Sequence, residues 1–267
     1  MEATTEIDLE KRHQEHCMVC HQLLQYYSRA RSANCHYCDQ PGEWYISCPA
    51  GHVVCDTCHN QQTMLQIEEI IFCATTSAPL KIALQCMDFQ NLPMLGCHHA
   101  FIACGALMAA LKNSGAVKLT DDDIHEVFRR TSKQAHGGYC GLTGLCGIVP
   151  ALGACVAVLN GSKCGLDLEQ RLTMELVVEV ARAITEITGP SCCKAYVRTS
   201  LKVATDFFKQ NFSIFLPIND DEVCQHMEKH PHGCRTTKCP YYPEGGLQSD
   251  VTLQTVNNDK SRSADPA

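Results

Sequence analysis

The sequence lacks a surplus of basic residues, because 22 Lys and Arg face 29 Asp and Glu in 267 residues and give a formal net charge of −7. A protein that binds nucleic acid by neutralising phosphates has the opposite balance, so we expect no nucleic-acid partner. Charged residues make up only 19% of the chain and hydrophobic residues 45%. This balance excludes an intrinsically disordered chain, and we expect a folded protein with a core.

The first fifteen residues lack the apolar stretch of a secretory signal peptide. A longer uncharged segment, residues 134–162, is interrupted by Gly144, Gly147, Pro150 and Gly153. A membrane-spanning helix needs about 20 predominantly apolar residues, so one alternative is that this segment spans a membrane. We favour a tightly packed pair of buried helices, and we expect a cytoplasmic protein without membrane contact.

Cysteine is the residue type in excess, with 20 in the chain. Such a content indicates either disulfides in a secreted protein or thiolate metal sites in a reducing compartment. Because the N-terminus does not resemble a signal peptide, we expect reduced thiols and bound metal.

Changes in composition divide the chain into four parts. Residues 17–60 are rich in Cys, His and aromatic residues and have no long apolar period, so bound metal is needed to stabilise them. The four predicted parts are an acidic N-terminal segment at 1–16, a zinc-binding module at 17–60, a helical Cys-rich domain at 61–243 and a disordered tail at 244–267.

Helix signals dominate the second domain. Apolar residues of 97–112 suggest one long helix, and Thr120 before three Asp residues is a typical helix start. Residues 167–188 place six apolar side chains on one face at steps of three and four, and another helix is expected from Ser191 to Asn211. The predicted fold class is mainly α, with a small N-terminal zinc-binding module of treble-clef or RING-like type.

Eight metal ligands are predicted in the N-terminal module. Each Cys-x2-Cys pair lets a tight turn direct two sulfurs at one tetrahedral ion, and eight ligands suffice for two closed zinc sites. The predicted ligands are Cys17, Cys20, Cys35, Cys38, Cys48, His52, Cys55 and Cys58.

The order of these ligands predicts how they are shared. The stretch from Cys35 to Cys58 has the order of the first six ligands of a cross-braced RING finger, which places the Cys35-x2-Cys38 pair and the Cys55-x2-Cys58 pair at one ion. No Cys-x2-Cys pair follows Cys58, so the remaining ligands, Cys48 and His52, are expected to use Cys17 and Cys20. This departure argues against a ubiquitin ligase, and purely structural zinc sites are the simplest interpretation.

Seven cysteines of the helical domain are candidate ligands of a cofactor, with packing in the core as the alternative. Glycines let the backbone approach a bulky inorganic group, and a helix N-terminus favours thiolate. Three thiolates of the C-terminal loop plus Cys192 or Cys193 suffice for a four-cysteine iron–sulfur cluster, and a third zinc site satisfies the same count. The seven candidates are Cys140, Cys146, Cys192, Cys193, Cys224, Cys234 and Cys239.

Catalytic residues are not identified by the sequence, and whether the protein is an enzyme stays open. Cys192 or Cys193 is a candidate nucleophile with a histidine as base. His98 and His99, at the start of a predicted helix, are candidates for a proton donor or a metal ligand, and the alternative is a packing role.

Taken together, the motifs resemble the domain-of-unknown-function family numbered 5714, from anaerobic archaea and bacteria. The similarity covers roughly residues 17–243 and includes the Cys-x2-Cys pairs, the His98-His99 helix, Gly137–Gly141 and Gly189–Lys194. In many members this region resembles the C-terminal part of a longer chain that begins with an S-adenosylmethionine-dependent methyltransferase domain. This sequence has no Gly-x-Gly-x-x-Gly turn, so we expect no binding of that cofactor in the Rossmann manner.

Two functions of different classes follow from the sequence. The first is a cytosolic metalloprotein with about two structural zinc ions and an iron–sulfur cluster, of the four-iron four-sulfur type, acting in electron or sulfur transfer in anaerobic metabolism. The second is a non-catalytic zinc-binding adaptor that docks a partner. The expected partner is a protein, either a methyltransferase or a redox protein.

Overall fold

The computed structural model describes residues 16–89, 92–187, 189, 191–219 and 221–243. Of Asn60 and Gln62 it describes only the backbone. The predicted disordered tail and nearly all of the predicted acidic segment lie outside the described residues.

The described chain consists mainly of α-helices and carries one small two-stranded sheet, so the mainly α fold class is confirmed. Two short 3-10 helices, Met227–Lys229 and Thr236–Lys238, lie in the C-terminal loop. In chain order the strands and α-helices are β1 (Gln25–Asn34), β2 (Pro41–Ser47), α1 (Asp56–Cys73), α2 (Pro79–Asp88), α3 (His98–Ser114), α4 (Asp121–Thr131), α5 (Tyr139–Thr143), α6 (Ile148–Leu159), α7 (Asp167–Glu186) and α8 (Cys193–Phe212).

The β1–β2 hairpin of the N-terminal module is a feature that the sequence analysis did not predict. The strands pair antiparallel, with an irregularity between Tyr26 and Arg31, and most of their side chains are exposed. The indole N–H of Trp44 donates to the carbonyl of Ala33 at 2.8 Å. Since neither face of the hairpin is buried, β1 has no apolar alternation from which a strand is predicted.

Helix α3 is the centre of the core. Most of its residues are fully buried, and it packs against α1, α2, α4, α6 and α8. Its alanines and Gly105 present little side-chain volume, so the surrounding helices approach it closely. This cluster contains no residue of the module before α1.

Several predicted boundaries and faces differ from the structure. Helix α1 begins at Asp56, so a single helix runs through the boundary predicted between residues 60 and 61. The face predicted for α7 is buried at its centre, whereas Leu168 is 73% exposed because it lies in the first turn, beyond the neighbouring helices. The predicted start at Thr120 is confirmed as a capping box with Asp123.

The uncharged segment forms α5 and α6, which behave differently. Helix α6 is buried along most of its length, as expected. Helix α5 has no buried residue, so the expectation of a pair of buried helices is corrected. Gly138 and Gly144, each with a φ of 78°, end the helix on both sides and leave only five residues. In the part of the chain that the structure describes, no helix combines the length and the apolar character needed to cross a membrane.

Candidate metal centres

The ligands of the N-terminal module form two sets of four in the structure. Within each set the ligand atoms lie within 4.8 Å of one another, so each set could hold a metal ion such as zinc. Along the chain, a pair of ligands from one set is followed by a pair from the other. This is the grouping that the order of the ligands in the sequence predicts. The first ligand set is Cys17, Cys20, Cys48 and His52, and the second ligand set is Cys35, Cys38, Cys55 and Cys58.

The two Cys-x2-Cys turns that open these sets are alike. The N–H of His21 donates to the carbonyl of Cys17, and the N–H of Asp39 donates to that of Cys35, each at 2.9 Å. His21 and Asp39 both have a φ of 56°. Each turn therefore closes on a left-handed residue four positions after its first ligand, which directs the two sulfurs to the same side.

The second ligand set forms the start of α1. Cys55 is the N-cap residue, and its sulfur accepts the N–H of Cys58 at 3.4 Å. The positive end of a helix dipole stabilises thiolate at such a position. Helix α1 therefore begins within residues 17–60, the range predicted for the zinc-binding module.

The thiols of the second ligand set differ in their pKa. Burial raises the pKa of Cys35, but backbone N–H groups that point at its sulfur outweigh this effect and lower the pKa to about 6. Hydrogen bonds to Cys55 and Cys38 raise the pKa of Cys58 to about 12. Four thiolates therefore do not form together at neutral pH without a cation, and a bound divalent metal supplies that charge.

A further group of cysteines lines a cleft of about 670 Å³, counting its open mouth, between α2, the start of α8 and the C-terminal loop. Cys192, the N-cap residue of α8, lines it together with three cysteines of the loop. The N–H of Cys224 donates to the carbonyl of Tyr241 at 2.7 Å and closes that loop. We call this the four-thiol cleft, and its cysteines are Cys192, Cys224, Cys234 and Cys239.

Each sulfur of the four-thiol cleft accepts a backbone N–H. The bonds to Cys224 and Cys234 are both 3.4 Å long. Hydrogen bonds of this kind favour the thiolate over the thiol. The donors, in the order of the four cysteines, are the N–H groups of Ala195, His226, Thr236 and Tyr241.

The thiols of the cleft are spaced more widely than those of the module. Among the described residues, only the two ligand sets of the module bring three or more ligand atoms within 4.8 Å of one another. The four thiols of the cleft therefore share one lining without the mutual spacing that the two ligand sets of the module have.

Three cationic side chains line the four-thiol cleft and were missed by the sequence analysis. Lys194, Arg198 and Arg235 are each less than a tenth exposed. The ammonium group of Lys194 donates to the carbonyl of Met87 at 2.7 Å, and Arg198 donates to the carbonyl of Glu222. The sequence does indicate two of these cations, because Lys194 and Arg198 lie one helical turn apart directly after Cys192 and Cys193.

The remaining candidates, Cys140, Cys146 and Cys193, do not line the cleft. Of the neighbouring residues Cys192 and Cys193, only Cys192 lines the cleft. Burial raises the pKa of both Cys192 and Cys193. The expected thiolate at this helix start is therefore wrong for the metal-free protein, because desolvation outweighs the helix dipole.

The two histidines of α3 are buried at its start, with ring centroids 4.5 Å apart. The ring N–H of His98 donates to the carbonyl of Pro93 at 3.3 Å, and that of His99 to the carbonyl of Gly96 at 3.2 Å. Burial lowers the pKa of His98 to about 3 and that of His99 well below its usual value. Both rings are neutral at neutral pH, which favours the packing role over that of a proton donor.

Comparison with known proteins identifies the family of the chain but no activity. A model described as a family of unknown function (DUF5714) matches residues 67–242. The match begins within α1, so the metal-binding motifs of the N-terminal module lie outside it. No protein of curated function and no solved structure matches the chain.

Proposed function

Because the chain belongs to the family of unknown function DUF5714, we propose its function from its own metal centres, as no activity is known for the family. The protein is a metalloprotein in which two structural zinc ions stabilise the N-terminal module. A four-iron four-sulfur cluster bound in the four-thiol cleft transfers electrons.

The cleft itself carries the proposal. It contains four thiols, each with a backbone N–H donor, and no three of them lie as close together as the ligands of the module. A cluster with four thiolate ligands is an anion, and Lys194, Arg198 and Arg235 supply positive charge around it. Hydrogen bonds and net charge near the sulfurs are the features by which proteins set the potential of such clusters.

The ligand count favours electron transfer over sulfur transfer. Four cysteines occupy one position on each of four irons, so no iron keeps an open position for a sulfur-containing substrate. A fully ligated cluster exchanges electrons with a partner without bond making at the metal. The protein partner is then a redox protein, with a methyltransferase as the alternative.

The N-terminal module is a closed structural element of this proposal. Its two ligand sets alternate as in a treble-clef or RING-like cross-brace, and each supplies all four ligands of a tetrahedral ion. Thiolate metal sites of this kind fit a reducing compartment such as the cytoplasm.

The alternative function, an adaptor without redox chemistry, is favoured by the surface of this module. Met18, Leu23, Tyr26 and Tyr37 are each more than 40% exposed. Exposed apolar and aromatic side chains close to one another are typical of surfaces that bind other proteins. In this case the cleft thiols bind zinc or pack against each other.

The test is the metal and acid-labile sulfide content of protein purified without oxygen, with its absorption spectrum. We expect about two zinc, four iron and four sulfide per chain and a brown colour. Cys192→Ser and Cys239→Ser should lose iron and keep zinc. Cys193→Ser, at the neighbouring position outside the cleft, is the matched control and should keep both. Colourless protein that contains zinc and no iron would contradict the proposal and favour the adaptor.

A further inference from the structure

The C-terminal loop carries two histidines that lie between the four-thiol cleft and the surface. His230 is buried and lines the cleft, whereas His232 is exposed. The ring N–H of His230 donates to the carbonyl of Ser191, the residue before Cys192, at 2.9 Å. The other ring nitrogen of His230 accepts the backbone N–H of His232 at 3.2 Å. Hydrogen bonds therefore hold the ring of His230 at both nitrogens, next to a proposed ligand of the cluster.

Tyr26 of strand β1 packs on the exposed histidine. The ring centroids of Tyr26 and His232 are 6.1 Å apart, and those of His232 and His230 are 6.0 Å apart. Both contacts are edge-to-face, at distances typical of aromatic pairs. Tyr26 is 53% exposed. Three rings thus form a row from the lining of the cleft to the surface, where the module and the C-terminal loop meet.

A partner protein exchanges electrons with the cleft over a distance. Cys192 and Cys239 are less than a tenth exposed, so a docked protein does not touch their sulfurs directly. The rate of electron transfer falls with distance, and bonded atoms and packed rings transmit an electron better than gaps do. The row of rings offers such a connection to Cys192. A second connection runs along the backbone, because His232 is two residues before Cys234.

We propose that His230 and His232 carry electrons between the cluster and the surface, and that the redox partner docks where His232 and Tyr26 are exposed. This route rests on the cluster of the proposed function. In each transfer the reduced cluster loses one electron and the partner, a one-electron carrier protein, gains it. No bond forms or breaks and no proton moves. Interfaces of electron-transfer complexes are small, and aromatic residues are enriched in interface cores, so a contact centred on two rings suits such a partner.

The test is the rate at which the reduced protein, freed of dithionite, reduces oxidised cytochrome c in a stopped-flow experiment without oxygen. His232→Ala should lower this rate severalfold because it removes the outer histidine ring. His232→Phe restores a ring and should keep most of the rate. The backbone N–H that binds His230 is present in both variants. Tyr37→Ala, which removes an exposed ring of the module outside the row, is the matched control and should not change the rate.

Measurements on the same samples separate the route from the cluster. Iron and sulfide content, the absorption spectrum and the reduction potential should be the same in His232→Ala as in the native protein. The rate of reduction by dithionite, which is small enough to enter the open mouth of the cleft, should also be the same. An unchanged rate with cytochrome c in brown His232→Ala, or an equal loss in His232→Phe, overturns the route alone. Colourless native protein without iron overturns the cluster and the route together.

A footprint of the docked partner requires no electron transfer. Excess oxidised cytochrome c should protect Tyr26 and His232 of the native protein from labelling by hydroxyl radicals, read by peptide mass spectrometry. Tyr37 is also exposed and should be labelled equally with and without cytochrome c. Labelling of Tyr26 and His232 that does not respond to cytochrome c overturns the docking site.

Discussion

Cys192 and Cys193 are neighbours in the chain but face different surroundings. Consecutive residues of a helix point about 100° apart, and Cys192 also lies outside the helix as its N-cap residue. One sulfur faces the cleft and the other faces the starts of α3 and α6. A substitution of Cys193 therefore leaves all four thiols of the cleft in place.

At the scale of the residue, buried His98 should make stability depend on pH. Its pKa is about 3 in the folded protein and ordinarily 6.5, so the unfolded chain takes up a proton first as the pH falls. Stability from this group is complete above pH 6.5 and falls by about 1.4 kcal/mol per pH unit between these two values. We expect the free energy of unfolding, measured with urea between about pH 6 and pH 4, to fall less steeply in His98→Gln.

The dependence of the unfolding free energy on pH is compared between the native protein and His98→Gln. The difference between the two slopes isolates the contribution of His98. Any metal that the ligand sets of the module hold is lost in acid from both proteins, so its contribution to stability cancels in the difference. Glutamine is neutral and retains a donor for the carbonyl of Pro93, to which His98 donates in the native protein. Equal slopes for the two proteins would mean that His98 is protonated in the folded state.

At the scale of the element, the glycines that lie between helices should resist substitution. A Cβ at Gly105 of α3 would overlap the δ-methyl of Ile71 in α1 and lie 2.9 Å from the ring of Phe128 in α4. Gly105→Ala should therefore reduce the free energy of unfolding by about 1–3 kcal/mol. Gly141→Ala in α5, where a Cβ meets nothing within 4 Å, is the matched control and should not destabilise. A similar loss in both variants would exclude helix packing as the cause.

Elements with a strong local signal could be predicted from the sequence. The buried face at the centre of α7 and the capping box of α4 depend on residues three and four positions apart. The β1–β2 hairpin could not be predicted, because metal ligands rather than an apolar face hold it. Helix α5 was expected to be buried because its apolar residues are evident in the sequence, whereas the two glycine φ angles that shorten it are not.

At the scale of the whole molecule, the N-terminal module depends on its metal sites. Among the residues that the structure describes before α1, the buried apolar ones are Cys17, Cys35, Cys48 and Val53, of which three are ligands. A chelator should unfold this part while the helices around α3 persist, because the main core cluster includes none of these residues. Trypsin cleavage at Arg29 or Arg31 with retained helical circular dichroism would show this.

A single cooperative transition would contradict this prediction. If the helical signal is lost together with the module, the helical part needs the module to stay folded. Cys38→Ser, which removes a ligand of the second set, should reproduce the cleavage without chelator, and exposed Cys164→Ser should not.

The metal centres differ in how far the sequence predicts them. Both ligand sets of the module follow from three Cys-x2-Cys pairs and the Cys48-x3-His52 pair, because a local turn fixes the geometry of each pair. The four-thiol cleft joins Cys192 to a loop more than thirty residues away, and only tertiary packing chooses it over Cys193. The spacing of Lys194 and Arg198 directly after the cysteine pair indicates two of the cations, whereas Arg235 reaches the cleft only through tertiary packing.

The first turn of α1 links the module to the thiols of the helical part. Asp56 stands between the ligands Cys55 and Cys58, and its carboxylate accepts the N–H of Gly137 at 3.1 Å, three residues before Cys140. If an ion fixes the second ligand set, it also fixes this carboxylate, and we expect the contact with Gly137 to form after the ion has bound. We expect the cellular supply of zinc to set the pace at which a newly made chain matures.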